Sequence, residues 1–286
     1  MNTDPLTDPR AEDLVVHKGG TSVSLCLPAH NEGTTVGAIV TLVMDHLVRR
    51  HQLVDEVVVV DDGSVDDTAA VARQAGARVV AAGDVLTEYG PAPGKGQALW
   101  KSLVVSRGDL VVWCDADIVN FDPRFVTSLL APLLTDPSVD FVKGCYRRDL
   151  HGRPDEGGRV TELVARPLLA RFFPHLRSFT QPLSGEYGAR RRLLERLPFA
   201  AGYGVDLGLL VDVHALVGVG AMAQVDLGHR SHRNRPLHEL TVHAEAVLAT
   251  VLDRAGVGSP EDDTPGPRWL PPLVEVASYR QRTAPG

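Results

Sequence analysis

The sequence predicts an α/β fold, a Rossmann-like, mainly parallel β-sheet flanked by helices, and three observations carry that prediction. From residue 23 onward, short Val-rich runs alternate with longer segments whose apolar residues recur at helical spacing. The run Val57-Val58-Val59-Val60 is apolar on both faces, as in a strand covered by helices on two sides. Clusters rich in Asp, Gly and Ser follow the apolar runs instead of interrupting them, and an open α/β sheet collects its ligands beyond the carboxyl ends of its strands.

Taken in order, residues 1–20 carry Asp4, Asp8, Glu12 and Asp13 without an apolar core of signal-peptide length, and are expected to form a flexible arm. A first strand is expected over 23–27, ended by Pro28, followed by a helix over 34–50 with Val36, Ile39, Val40, Val43 and Leu47 on one face. Strand 56–60, helix 65–75, strand 78–81, helix 95–107, strand 110–114, helix 123–134 and strand 141–145 continue the alternation. Beyond Tyr146 the pattern changes. A Gly- and charge-rich loop at 151–158 leads into a helix over 159–172, and a segment at 184–189, a helix near 206–216, a strand near 221–225 and a last helix near 237–255 follow. Residues 256–286 are Pro- and Gly-rich and are expected to form an irregular tail.

Length and composition bound the function. The 286 residues suffice for one α/β domain with a C-terminal extension, and 44% hydrophobic and 23% charged residues are ordinary for a soluble globular chain. A net charge of -7 argues against nucleic acid as the main partner. Cys26, Cys114 and Cys145 are odd in number and sit in apolar runs, which favours buried thiols and a reducing cytoplasm over a disulfide framework. The longest apolar stretch, 207–227, is broken by Asp212, His214, Gln224 and Asp226, so no membrane span is expected.

Three polar clusters fall at predicted strand ends: Pro28-Ala29-His30-Asn31-Glu32, Asp61-Asp62-Gly63-Ser64 and Asp115-Ala116-Asp117. The last is the sharpest, because two carboxylates one residue apart at a strand end can share a hard cation, Mg²⁺ or Mn²⁺. Such an ion keeps part of its shell for substrate phosphates and stabilises a phosphorylated leaving group. The second cluster also reads as a plain turn. Gly94-Lys95-Gly96 opens a helix, where free N–H groups and a cation favour phosphate, but it lacks Walker A spacing. The segment 229–235 holds Arg230, His232, Asn234 and Arg235, either a solvated basic loop or donors for a diphosphate or an acidic acceptor, with His232 a candidate metal ligand. His238 and His243 are five apart, about 140° around a helix, and so do not form a zinc-protease pair. Gln181-Pro182-Leu183-Ser184-Gly185-Glu186-Tyr187 and Gly202-Tyr203-Gly204-Val205-Asp206 read as substrate-lining turns. For Asp206 a helix-terminal charge and a site role are both open.

At this point the residues resemble the actinobacterial glucosyl-3-phosphoglycerate synthases, retaining glycosyltransferases of the GT-A type. The general part of the likeness is the three strand-end clusters. The specific part is Pro93-Gly94-Lys95-Gly96-Gln97-Ala98-Leu99-Trp100, the run 157–169, the run 181–187, Gly202-Tyr203-Gly204-Val205 and His232-Arg233-Asn234-Arg235-Pro236-Leu237. The resemblance implies a GT-A domain over 21–255, with a nucleotide-sugar half at 21–146 and an acceptor-side extension at 147–255. It implies transfer of glucose from a nucleoside diphosphate sugar, usually UDP-glucose, to the 2-hydroxyl of 3-phosphoglycerate, giving a precursor of glucosylglycerate, and it implies a homodimer. By motif match, Pro28, Ala29, Glu32, Asp62 and Lys95 would hold the nucleotide together with Asp115, while Asp115, Asp117 and His232 would hold the metal. Gly158, Arg159, Thr161 and Asn234 would line the phosphoglycerate site, and Asp206, Arg230 and Leu183 would stand beside the reacting groups. The chain departs from the family pattern in carrying Asp206 where Glu is usual, His30 where an aliphatic residue is usual, and a shorter loop at 151–158.

The mechanism expected is same-face attack without a protein nucleophile, the acceptor hydroxyl passing its proton to a β-phosphate oxygen. The alternatives are a related transferase with another sugar or acceptor, including an inverting one with Asp206 as general base, a nucleotide-sugar binding protein without turnover, and a nucleotidylyltransferase. The last would need a Gly-rich loop after Leu27 that the chain lacks.

Overall fold

The strands form where β-branched residues cluster: β1 Val23–Ala29, β2 Glu56–Asp61, β3 Arg78–Ala81, β4 Leu110–Trp113, β5 Phe141–Arg147, β6 Tyr187–Arg190, β7 Phe199–Ala200, β8 Met222–His229 and β9 Trp269–Leu270. They are seen in a computed structural model that describes residues 10–90, 94–147, 158–231, 240–258 and 266–283. Seven of them make one sheet in the order β3-β2-β1-β4-β6-β5-β8. β1 to β4 are parallel, β5 and β8 are parallel to each other, and β6 runs antiparallel between β4 and β5. A mainly parallel sheet was expected; the antiparallel insertion of β6 was not.

Pro28 was expected to end the first strand, but β1 runs on to Ala29, with Pro28 opposite Val60 on β2. The Cys26 carbonyl accepts from Cys114 on the β4 side and the Ala29 carbonyl from Asp62 on the β2 side. Pro28 therefore turns its missing donor toward β4, whose ladder with β1 already stops at Cys26 and Trp113, and a proline is tolerated where no ladder bond is lost.

The helices are α1 Ala11–Lys18, α2 Val36–Val43, α3 Thr68–Ala75, α4 Lys95–Val105, α5 Arg124–Thr135, α6 Arg166–Phe172, α7 Arg191–Leu194, α8 Val205–Val217, α9 Leu240–Arg254 and α10 Ala277–Thr283. The helix expected over 34–50 is α2 continued by a π-helical stretch, Met44–Arg50, and the one expected over 159–172 contains a π-helical turn, Thr161–Ala165, before α6. Alternating residues of the sheet feed two hydrophobic layers. Cys26, Val58, Val60, Val111 and Trp113 face α4 and α8, and Leu25, Leu27, Val57, Val59 and Val112 face α2 and α5.

The ends of the chain differ from expectation. Within 1–20, expected as a flexible arm, residues 11–18 form α1, which buries Leu14 and ties Lys18 to Asp55 at 2.7 Å. Within 256–286, expected as an irregular tail, β9 pairs antiparallel with β7, and Leu270, Leu273, Val276 and Tyr279 enter the core. Pro- and Gly-rich composition masked these apolar anchors. Cys26 and Cys114 are buried free thiols and Cys145 is half-buried. The stretch 207–227 is split between α8 and β8, and among the described residues no helix is long and apolar enough to cross a membrane.

Candidate active site

Beyond β1 and β2 the two following loops are laced together. Asn31, at a left-handed φ of 58° that Asn tolerates, donates its N–H to Ser64 Oγ and accepts through Oδ1 from the Val65 N–H, each at 2.9 Å. The Glu32 N–H donates to Thr68 Oγ1 at 2.8 Å. Pro28 and Ala29 thus end β1 at the mouth of the site, with Glu32 four residues beyond Pro28 and Asp62 across the gap. His30 meets the Asp62 carbonyl through Nδ1 at 2.9 Å. Asp62 Oδ2 accepts from the Gly94 N–H at 2.7 Å. Burial raises the pKa of this carboxyl, and the Gly94 amide, His30 and Lys101 only partly offset it.

The start of α4 corrects one expectation. Two of its first amides are already taken: Gly96 N–H donates to the Gly202 carbonyl at 3.3 Å and Gln97 N–H to the Ala201 carbonyl at 3.0 Å. A Cβ on Gly96 would fall 1.7 Å from the Ala200 oxygen, so the glycine allows this helix to touch the 200–202 turn. The close approach aims Lys95 inward. Its Nζ lies 2.9 Å from Asp115 Oδ1 and 2.9 Å from Asp206 Oδ2. Burial opposes the charge on Lys95, but the two carboxylates outweigh it and raise its pKa. Asp206 thus reaches the Asp115 carboxylate through Lys95. It sits in the first turn of α8, whose start lacks a side-chain cap hydrogen bond, and its carboxylate turns to Lys95.

Asp115 and Asp117 follow β4, held there by Thr35, whose Oγ1 donates to the Ala116 carbonyl at 2.6 Å. Arg230, 2% exposed, reaches them from the end of β8. A bulge between Cys145 and Arg147 on the β5–β8 ladder, with Gly228 at φ 80°, re-aims that strand end. Arg230 Nη2 donates to Asp115 Oδ2 at 3.0 Å and Asp117 Oδ1 at 2.7 Å, while Nη1 donates to Tyr146 Oη at 2.8 Å and pairs with Glu186 Oε1 at 3.2 Å. Burial pushes the Asp115 carboxyl upward, but Lys95 and Arg230 together hold it below the usual carboxylate range.

The turn at 181–187 belongs to this centre. A Cβ on Gly185 would lie 2.2 Å from both oxygens of Asp115, so the main chain there packs directly on the carboxylate. Leu183, half-buried, packs on the α4–α8 core layer. Gly158, at φ 80°, Arg159 and buried Thr161 share one turn, closed by the Glu162 N–H on the Gly158 carbonyl at 3.0 Å. His232 and Asn234 lie outside the described residues. Their approach is visible: Ser231, immediately before His232, accepts from the Val119 N–H at 3.1 Å and donates to Asn120 Oδ1 at 2.7 Å, beside the Asp-x-Asp loop.

Glu186, Tyr146 and Lys143 were not singled out individually. Glu186 carried a signal, its place in the glycine-flanked 181–187 turn. Lys143 carried a weaker one, a lone cation in an apolar strand, and Tyr146 none.

The residues present fit a divalent ion. Asp115 and Asp117 already converge on one cationic nitrogen, and hard oxygen donors suit Mg²⁺ or Mn²⁺. Among the described residues no group of three His, Cys, Asp or Glu side chains that could hold a metal is assembled, and the expected third ligand, His232, lies outside them.

Carboxylates for a cation, buried cations beside them and two laced loops at parallel strand ends together suit a nucleoside diphosphate attached to a transferable group. That is the chemistry of nucleotide-sugar transferases. The comparisons agree. The model of a family described as Glycosyl transferase family 2 matches residues 24–197. A glucosyl-3-phosphoglycerate synthase of Mycolicibacterium smegmatis is 50% identical over 249 residues, covering 86% of this chain and 81% of that one. One from Petrotoga mobilis is 45% identical over 241 residues, covering 83% and 74%. The Mycobacterium tuberculosis glucosyl-3-phosphoglycerate synthase, in a crystal structure with Mn²⁺, UDP-glucose and phosphoglyceric acid, superposes with a TM-score of 0.84 at 42% identity over 96% of each chain. The chain belongs to glycosyl transferase family 2 and, within it, to the glucosyl-3-phosphoglycerate synthases. Its fold is GT-A.

Proposed function

We propose that this protein transfers glucose from UDP-glucose to the 2-hydroxyl of 3-phosphoglycerate with retention of configuration, giving glucosyl-3-phosphoglycerate and UDP. The observation that carries the reading is the convergence of Lys95 and Arg230 on the Asp115–Asp117 pair, with Asp206 on the far side of Lys95. Relatives crystallised with UDP-glucose and phosphoglyceric acid, and with the product and UDP, support the same substrates.

Asp115 and Asp117, with His232 as third ligand, would hold Mg²⁺ or Mn²⁺, which supplies Lewis-acid stabilisation of the departing diphosphate. Pro28, Ala29, Glu32 and Asp62 bind the nucleoside, in the half formed by 21–146. Lys95 keeps Asp115 oriented and adds positive charge where the diphosphate leaves. Gly158, Arg159, Thr161 and Asn234 bind the phosphoglycerate, and Leu183 and Arg230 flank the reacting groups. The bond from the anomeric carbon to the diphosphate breaks as the bond to the acceptor oxygen forms on the same face, and the acceptor proton passes to the β-phosphate.

The inverting alternative would give Asp206 the proton. Its Oδ2 is already committed to Lys95, which favours a positioning part. The reading extends to a cytoplasmic homodimer, supported by the free thiols and the family likeness; light scattering tests the dimer. The deciding experiment is a coupled assay of UDP release with UDP-glucose, Mg²⁺ and a panel of 3-phosphoglycerate, glycerate and phosphate, with and without EDTA. Turnover restricted to 3-phosphoglycerate plus metal, with an α-configured product, supports the reading. Release with another acceptor, or an inverted product, sinks it.

A further inference from the structure

Lys143 stands in the middle of β5 with no exposed surface. It pairs with Tyr187 across the ladder to β6, and its ammonium lies 4.4 Å from the centroid of the Tyr187 ring. Its Nζ donates to the main-chain carbonyl of Asp206 at 3.2 Å. The charged and titratable groups around it are Asp206 on α8, Glu186 and Tyr187 at the start of β6, Asp115 beyond β4 and Lys95 on α4, while β8 sets the neutral Gln224 opposite it.

A lysine in this place is poorly explained by stability. Taking an ammonium out of water is unfavourable, and a carbonyl dipole and a ring face return only part of its hydration. Burial pushes the Lys143 pKa down to about 8, Lys95 pushes the same way, and Asp206, Glu186 and Asp115 pull back. An apolar side chain of similar length would pack there without that penalty, and replacing buried ionic groups by apolar ones is often neutral or stabilising. Groups retained against stability mark function. Here the geometry supplies one, because the carbonyl that Lys143 engages belongs to the residue whose carboxylate meets Lys95.

We propose that Lys143 is a positioning residue for the transfer reaction: its ammonium holds the first turn of α8 against the sheet so that Asp206 meets Lys95, and its charge, not its bulk, is what the reaction uses. The inference rests on the function proposed above. It differs from the assignments made from the motifs, since Lys143 belongs to none of them and acts through Asp206.

The test is Lys143→Met, read against wild type in the UDP-release assay, in melting temperature and in pH profile, with Asp206→Asn completing a double-mutant cycle. The expected result is a kcat lowered by about tenfold or more while KM for UDP-glucose changes by less than about threefold, since the loops at 28–32 and 61–64 do not depend on α8. The melting temperature stays level or rises. Wild-type kcat declines above about pH 8, where the ammonium is lost, and that decline disappears in the variant. The double variant is no slower than Asp206→Asn alone. A kcat within about twofold of wild type, additive losses in the cycle, or a kcat loss that tracks a lowered melting temperature overturns the proposal. Should Lys143→Met fail to fold, Lys143→Gln, which keeps a donor for the Asp206 carbonyl without the charge, decides: a kcat within about twofold of wild type overturns it as well. An active wild type with unaffected Lys143 variants sinks this inference alone, and an inactive wild type sinks it together with the proposed function.

Discussion

Lys95 Nζ lies 2.9 Å from Asp206 Oδ2, joining the first turns of α4 and α8 across 111 positions of sequence. The same nitrogen holds Asp115, so one ammonium balances a buried carboxylate and a half-buried one. Lys95→Ala leaves Asp206 without its cation while Asp115 keeps only Arg230, and breaking a buried ion pair from one side costs about 3–5 kcal/mol. The variant is expected to lose about 3 kcal/mol of stability in urea unfolding and about 10²–10³-fold in kcat.

Asp117 is a third exposed, with its side chain at 32%, and its contact with Arg230 is one of several that Arg230 makes. Asp117→Ala should therefore leave the fold within about 1 kcal/mol of wild type and abolish turnover. Calorimetric titration with Mn²⁺ is expected to show binding to the wild type that EDTA competes away and that the variant lacks. Near-normal turnover in a folded Asp117→Ala protein would remove the metal from the account.

Gly185 leaves no room for a side chain, because an added Cβ would meet the Asp115 carboxylate at 2.2 Å. Gly185→Ala must push that carboxylate off its position. Displacing a group that orients a metal ligand lowers metal affinity by about 10–100-fold, read as the Mg²⁺ concentration needed for half-maximal rate. Gly220→Ala, with open space at its Cβ, serves as the control.

Leu270 on β9 is 1% exposed, and its strand backs β7, whose neighbours Ala201 and Gly202 receive the amides of α4. Leu270→Ala is expected to destabilise by about 2–5 kcal/mol and to lower kcat by loosening Lys95, measured by urea unfolding beside UDP release. An unchanged kcat in the destabilised variant would separate the C-terminal strand from the site.

Lys143 makes stability depend on alkaline pH with a defined sign. Its folded pKa of about 8 lies below the ordinary 10.5, so between those values the unfolded chain binds more protons and stability rises with pH. That contribution is full above the unfolded value and is lost as pH falls through the folded one. The urea midpoint of wild type relative to Lys143→Met is expected to climb between about pH 7.5 and about pH 9.5. A constant difference would mean that the fold does not lower the Lys143 pKa from its ordinary value.

Much of the site was legible because its residues sit beside the features that position them. Asp115 and Asp117 follow an apolar strand directly, and Lys95 opens a helix between two glycines, so local order places each at the carboxyl end of the sheet. Glu186 was half legible, since its glycine-flanked turn was recognised but its partner Arg230 is 44 positions away. Lys143 and Tyr146 were not. Periodicity reports which face of a strand is buried, and nothing in it says what lies on that face. The Pro28 reading failed for a related reason: whether a proline ends a strand depends on which neighbour its missing donor faces.

The sequence by itself determined the alternation of strands and helices, the polar clusters at their ends and the family likeness, because these rest on short-range periodicity and on motifs of adjacent residues. Only the tertiary structure decided that β6 inserts antiparallel between β4 and β5, that the C-terminal segment closes on β7, and that Lys95 and Arg230, themselves paired with Asp206 and Glu186, converge on one carboxylate pair. Those outcomes depend on strand order and on which apolar faces cover one another. They are settled by burial summed over the whole core, and no single segment of the chain encodes that sum.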